Sequence, residues 1–188
     1  MKKKIKKYSV LIFVGMAIYF ITKGNNKPTN KTENIIIGDS HGVGLGLINK
    51  PFLILDKKIC KGGWTSTDLN NALINYTTNN NIKNVFVSIG TNGQFNVNDN
   101  LTGLVNNIKK KFPNSKIYVI KGSYGWSGTR PINETLKRYN NYYNKFSNIP
   151  SIKILKNGLG YFKTDSEAHD TNQNSYKLIS AEIQNIVK

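Results

Sequence analysis

The sequence predicts an α/β protein, a three-layer sandwich in which helices cover both faces of a five-stranded, mostly parallel sheet. Two observations carry that prediction. Short β-branched runs alternate along the chain with stretches of helical periodicity, the pattern of repeated strand–helix–strand units. The first run, Ile35-Ile36-Ile37, is apolar at every position, as a strand buried on both faces of a parallel sheet must be. Size agrees: 188 residues accommodate one domain with an appendage, and eighteen Phe and Tyr residues supply a core.

The elements follow in order. Gly38 breaks the first strand, and Asp39-Ser40 stands where a helix begins. Residues 51–56 and 57–61, PFLILD and KKICK, read as a second extended stretch. Thr65 and Asp68 form a capping box for a helix with Leu69, Ala72, Leu73 and Tyr76 on one face. NVFVSIG, from Asn84 to Gly90, is the strongest strand, ended by Gly-Thr-Asn. Leu101, Leu104, Val105, Ile108 and Phe112 share a helical face that Pro113 terminates. KIYVIKG (Lys116–Gly122) is the fourth strand, and Pro131 opens a helix presenting Ile132, Leu136, Tyr139, Tyr143 and Phe146. Ile152–Leu155 is a fifth short strand, and a last helix starts near Asn174 with Tyr176, Ile179, Ile183 and Ile186 inward. The folded domain is therefore expected over residues 34–188, with no repeat and no second domain.

Residues 1–22 read as a membrane segment. A lysine cluster from Lys2 to Lys7 precedes fifteen uncharged residues, Tyr8–Thr22. That is shorter than the roughly 17–25 residues of a comfortable span, but flanking lysines can snorkel. A cleaved secretory signal has a similar outline; it should end in small residues, and Tyr19-Phe20-Ile21-Thr22 offers none. The expectation is an uncleaved single-pass anchor, with the lysines inside and the domain outside the cytoplasm, or a secreted domain if the segment is cleaved. Residues 23–33 have no periodicity and read as a flexible linker.

The formal charge of +17 divides unevenly. Eight of 27 basic residues precede Thr32, so the remainder sets nineteen bases against ten acids, a balance of +9. Such a surface suits phospholipid, acidic glycan or nucleic acid without selecting among them. It has no arginine-rich stripe, and a nucleic-acid partner is not expected. Cys60 is the single cysteine, which excludes an internal disulfide and a cysteine metal site.

Several chemistry-bearing residues fall after strands, on the edge where open α/β folds bind ligands. They are Ser40, the Gly62-Gly63-Trp64-Thr65 segment, Gly90-Thr91-Asn92, and His169 before the last helix. Attack by a serine hydroxyl on an ester needs a base for its proton and donors for the developing oxyanion. Of the two histidines, His41 adjoins Ser40 and should point elsewhere, which leaves His169 as the candidate base. Trp64, Tyr124, Trp126 and Tyr161 lie near the same edge and are candidates for stacking on a sugar or bordering an acyl pocket, Trp64 and Trp126 foremost.

From Ile35 to about Ile186 the ordered set resembles the SGNH (GDSL-type) hydrolases. The resemblance implies a flavodoxin-like sandwich, a serine esterase activity, and neither metal nor organic cofactor. It implies Ser40 as nucleophile, His169 as base, and an oxyanion hole made of the Ser40 and Gly63 amides and the Asn92 carboxamide. Two departures stand out. The family places aspartate three residues before the histidine, where this chain has Ser166 between Asp165 and Glu167. It also commonly places aspartate after the asparagine, where this chain has Gly93. Asp165 is the expected orienting acid, with Glu167 the alternative. The substrate implied is an acyl ester of a carbohydrate or lipid, with short acyl groups such as acetyl expected. The rival expectations are a structural or binding protein of an envelope or virion that keeps the fold without turnover, and a lipid-directed acyl hydrolase.

Overall fold

The computed structural model describes residues 33–126 and 130–188. The expected anchor, the linker as far as Thr32, and residues 127–129 of the loop carrying Trp126 lie outside the described residues. Among the described residues no helix is long and apolar enough to cross a membrane.

Five strands form one sheet: β1 (Glu33–Gly38), β2 (Ile54–Cys60), β3 (Ile82–Ser88), β4 (Lys116–Tyr124) and β5 (Ile152–Tyr161). Their order is β2-β1-β3-β4-β5, and every neighbouring pair is parallel. Among the described residues six helices accompany the sheet: α1 (Ser40–Ile48), α2 (Ser66–Ile74), α3 (Leu101–Lys111), α4 (Ile132–Ser147), α5 (Asp165–His169) and α6 (Asn174–Val187).

The all-apolar reading of β1 has a direct structural counterpart. Side chains alternate across a strand, so Ile35 and Ile37 enter one core while Ile36 enters the other, all three essentially without solvent exposure. The first core collects residues of α2, α3 and α4, including Leu69, Leu104, Ile108, Tyr142 and Phe146. The second collects Leu45 of α1, Ala168 of α5, and Tyr176, Ile179 and Ile183 of α6. Helices therefore cover both faces, and the loops after the strands are left to build a site on one edge.

Three local expectations need correction. The second strand begins at Ile54, because Pro51 and Phe52 lie in the turn that closes α1. The fifth strand runs on to Tyr161 through a register shift opposite Val119–Lys121. The chain between that strand and the last helix contains α5, one short helix that the apolar pattern does not announce.

Candidate active site

Ser40 owes its position to the two residues before it. Gly38 ends β1 at φ +129°, and a Cβ there would lie 1.8 Å from the Ser88 carbonyl oxygen, so no other residue fits. Asp39 then caps α1: one carboxylate oxygen, Oδ1, accepts the amides of His41 (3.1 Å) and Gly42 (3.3 Å) and the hydroxyl of Ser88 (3.0 Å). Its other oxygen, Oδ2, is buried and has no hydrogen-bond partner among the described residues. Burial pushes the Asp39 carboxyl up to about 6, against the lowering pull of those three hydrogen bonds and of the nearby His169. Ser40 is thereby the first residue of α1, partly exposed, with its amide at the positive end of the helix.

His169 reaches Ser40 from the far end of the sequence, with Nε2 2.9 Å from Oγ. Its Nδ1 lies 2.9 Å from the main-chain oxygen of Asp165 and 3.0 Å from the carboxylate oxygen Oδ1 of the same residue. The one-turn α5 explains the shifted aspartate, since helical neighbours on one face are three and four residues apart. Ser166 is exposed. Glu167 turns back instead: its amide donates to Thr164 Oγ1 and its carboxylate accepts the Lys163 amide at 3.0 Å, so it closes the start of α5. The pair is open to solvent, with 35% of the His169 side chain and 67% of the Asp165 side chain exposed.

The loops that carry Gly63 and Asn92 are joined through Trp64. Gly63 has φ +79°, nothing within 4 Å of where a Cβ would stand, and an exposed backbone. Asn92 Nδ2 donates to the Trp64 carbonyl oxygen at 3.1 Å, which ties the carboxamide to the Gly63 loop. The position after Asn92 is also explained. Asp99 Oδ2 lies 3.8 Å from where a Cβ on Gly93 would stand, and it accepts the hydroxyl of Ser66 in the first turn of α2. A carboxylate thus reaches that spot from six residues downstream, and it holds the Asn92 loop to the helix that follows Gly63.

His41, which adjoins Ser40 in sequence, is fully buried beside the site. Its ring stacks on that of His169, with centroids 4.7 Å apart and planes 19° from parallel. Its Nδ1 is 2.9 Å from Tyr176 Oη and its Nε2 is 2.6 Å from Ser123 Oγ. Burial, helped by the neighbouring charge of His169, holds the imidazole down to about 3. Trp126 completes the enclosure: its indole N–H donates to Ser123 Oγ at 3.2 Å, and its ring stands edge-on to His169 at 5.8 Å. Trp64 is partly buried against the first core, Tyr124 packs between Tyr139 and Tyr161, and Tyr161 is 46% exposed. Trp126 is thus the candidate aromatic with a ring contact to His169, and its indole nitrogen is already engaged.

No protein-family model and no curated protein matches the sequence. Solved structures do. A Streptococcus pneumoniae protein described provisionally as a platelet activating factor superposes with a TM-score of 0.58 at 14% identity, over 93% of this chain and 99% of that one. The C-terminal catalytic domain of Streptococcus pneumoniae peptidoglycan O-acetyltransferase A, solved with a methylsulfonyl adduct, superposes with a TM-score of 0.54 at 16% identity, over 81% of this chain and 90% of that one. At such identities the likeness is one of fold, and it agrees with the resemblance to the SGNH hydrolases carried by Gly-Asp-Ser, Gly63, Asn92 and His169.

Proposed function

We propose that the chain is a serine ester hydrolase that removes short acyl groups, acetyl foremost, from a carbohydrate, and that residues 1–22 tether it to a membrane with the domain outside the cytoplasm. One observation carries the chemistry. Ser40 Oγ, His169 Nε2, His169 Nδ1 and the Asp165 carboxylate stand in hydrogen-bonding sequence at an open sheet edge. The carbohydrate acyl ester is suggested by the likeness to a peptidoglycan O-acetyltransferase domain. The tether rests on the lysine cluster and apolar run of the first 22 residues.

In this reading the Ser40 hydroxyl proton passes to His169 Nε2 as Oγ attacks the ester carbonyl carbon. The carbonyl oxygen becomes anionic, and the amides of Ser40 and Gly63 and the Asn92 carboxamide stabilise it. Collapse expels the alcohol, which takes the proton from His169 and leaves an acyl-serine. Water, deprotonated by His169, then releases the acid and restores Ser40. Asp165 holds the imidazole with its proton on Nδ1 and offsets the positive charge formed in each step.

The test is labelling by a fluorophosphonate, which reacts with an activated serine. The wild type should label and should hydrolyse a small acetyl ester, and Ser40→Ala should do neither while keeping its circular dichroism. Specificity constants across acyl lengths on one leaving group should favour acetyl. A preference for chains of about eight carbons would move the reading to lipids, because each buried methylene adds about 0.8 kcal/mol. Absence of both labelling and hydrolysis in the wild type would leave a fold without turnover.

A further inference from the structure

The hydrogen bonds around His41 run in one direction, and each fixes the next. Tyr176 Oη donates to the Ala168 carbonyl oxygen at 3.0 Å, since a carbonyl can only accept. Its oxygen must then accept at 2.9 Å from His41, which places the imidazole proton on Nδ1. Nε2 is left with a lone pair and accepts the Ser123 hydroxyl at 2.6 Å, and Ser123 Oγ in turn accepts the Trp126 indole N–H at 3.2 Å. Every polar atom of this buried chain is used. It starts at a ring packed edge-on to His169 and ends at the residue preceding His169, and its central ring lies flat against His169.

We infer that His41 is a positioning residue for the ester hydrolysis proposed above: its ring, locked in one tautomer by Tyr176 and Ser123, is the platform that sets the plane of His169 against Ser40. The inference rests on that reading for its catalytic consequence and on the hydrogen-bond chain for its structural content. His169 is about one-third exposed and sits on a five-residue helix, which by itself holds an imidazole plane loosely. Stacking restricts rotation about the Cβ–ring bond, while Asp165 and Ser40 fix the two nitrogens. The platform must also stay uncharged when His169 takes the serine proton. The groups that face His169 are Asp165 on its own helix, Asp39 and Ser40 at the start of α1, His41 beneath and the Trp126 ring. A second cation among them would oppose the proton transfer, and burial keeps His41 neutral.

Side-chain nitrogen NMR tests this directly, because the chain has two histidines and one substitution assigns both. In the wild type, His41 should show a neutral ring protonated on Nδ1 from pH 5 to 8. His41→Gln, and the near-isosteric Tyr176→Phe if the first folds poorly, should broaden or shift the His169 Nδ1 proton signal. Each should slow fluorophosphonate labelling of Ser40 by about 10–100-fold, the scale of a misplaced catalytic group. A His41 ring that titrates in that range, or carries its proton on Nε2, would overturn the inference. So would variants that lose melting temperature yet keep the wild-type His169 signals and labelling rate, since that is a purely structural role. Failure of the wild type to label would sink the hydrolase reading instead, and the NMR measurements would still decide whether His41 orders His169.

Discussion

The two histidines of this chain stack ring on ring, yet their surroundings are opposite. His169 is about one-third exposed, paired with a carboxylate and within reach of a hydroxyl. His41, 4.7 Å away, is fully buried, bonded to two hydroxyls and held down to about 3. Two unit charges at that distance repel by about 3–4 kcal/mol at an effective dielectric of 20. Under the proposed hydrolysis one ring receives the serine proton, and the other, buried, stays neutral beside it. Identity of residue type says little here; solvent access and the partners of each nitrogen decide the role.

The sharpest way to break the comparison is to exchange each ring for an uncharged amide. His169→Gln should cut ester hydrolysis by roughly 10⁴–10⁶-fold, as removal of a triad member does in serine proteases. It should leave stability within about 0.5 kcal/mol, because the side chain is about one-third exposed. His41→Gln should reverse the ranking, with a much smaller kinetic loss and a larger drop in urea midpoint, since a satisfied buried chain is broken. Equal kinetic losses in the two variants would mean that both rings handle the proton.

How much of this was legible in the sequence follows from the range of the interactions. Gly38-Asp39-Ser40 was readable because a turn and a cap are local, and the structure places them as turn chemistry requires. The helix α5 was not read, although Thr164-Asp165-Ser166-Glu167 has the spacing of a capping box; its single turn offers no apolar periodicity. That turn sets the aspartate four residues before the histidine, on the same helical face. The partners of His41 were out of reach, since Tyr176 and Ser123 lie 135 and 82 residues away and meet it only once the sheet is assembled. The available signal was that one of just two histidines adjoined the candidate nucleophile.

A smaller effect sharpens the description of the exposed ring. In serine proteases the orienting aspartate is buried, and its amide replacement costs about 10⁴ in turnover. Here the Asp165 carboxylate is two-thirds exposed, so water screens its charge, and the Asp165 carbonyl oxygen offers His169 Nδ1 a second acceptor. Asp165→Asn should therefore reduce turnover by only about 10–100-fold, because the main chain still selects the tautomer. Glu167→Gln should change turnover little and cost some stability through the α5 cap. Steady-state kinetics on both variants checks this; a loss near 10⁴ for Asp165→Asn would mean that the carbonyl contact does not hold the ring.

On the buried side of the comparison, His41 and Asp39 titrate in opposite senses. The folded state refuses a proton on His41 until about pH 3, whereas the unfolded chain accepts it near 6.5. Between those values the unfolded state binds the extra proton, so this group lowers stability as pH falls, by about 1.4 kcal/mol per unit. Asp39 behaves inversely. Its folded value is about 6 and its ordinary value 3.8, so between them the folded state binds the extra proton and stability rises as pH falls. Between about pH 6 and pH 4 the two slopes oppose and nearly cancel. Asp39→Asn removes one of them and leaves a donor beside the unpartnered Oδ2 position, which costs a roughly constant amount at every pH. Urea midpoints of the variant should therefore fall increasingly below those of the wild type from pH 6 to pH 4, by about tenfold in the unfolding constant per unit. Curves that run parallel would mean that Asp39 keeps an ordinary carboxylate titration in the fold, and that nothing offsets the proton His41 declines.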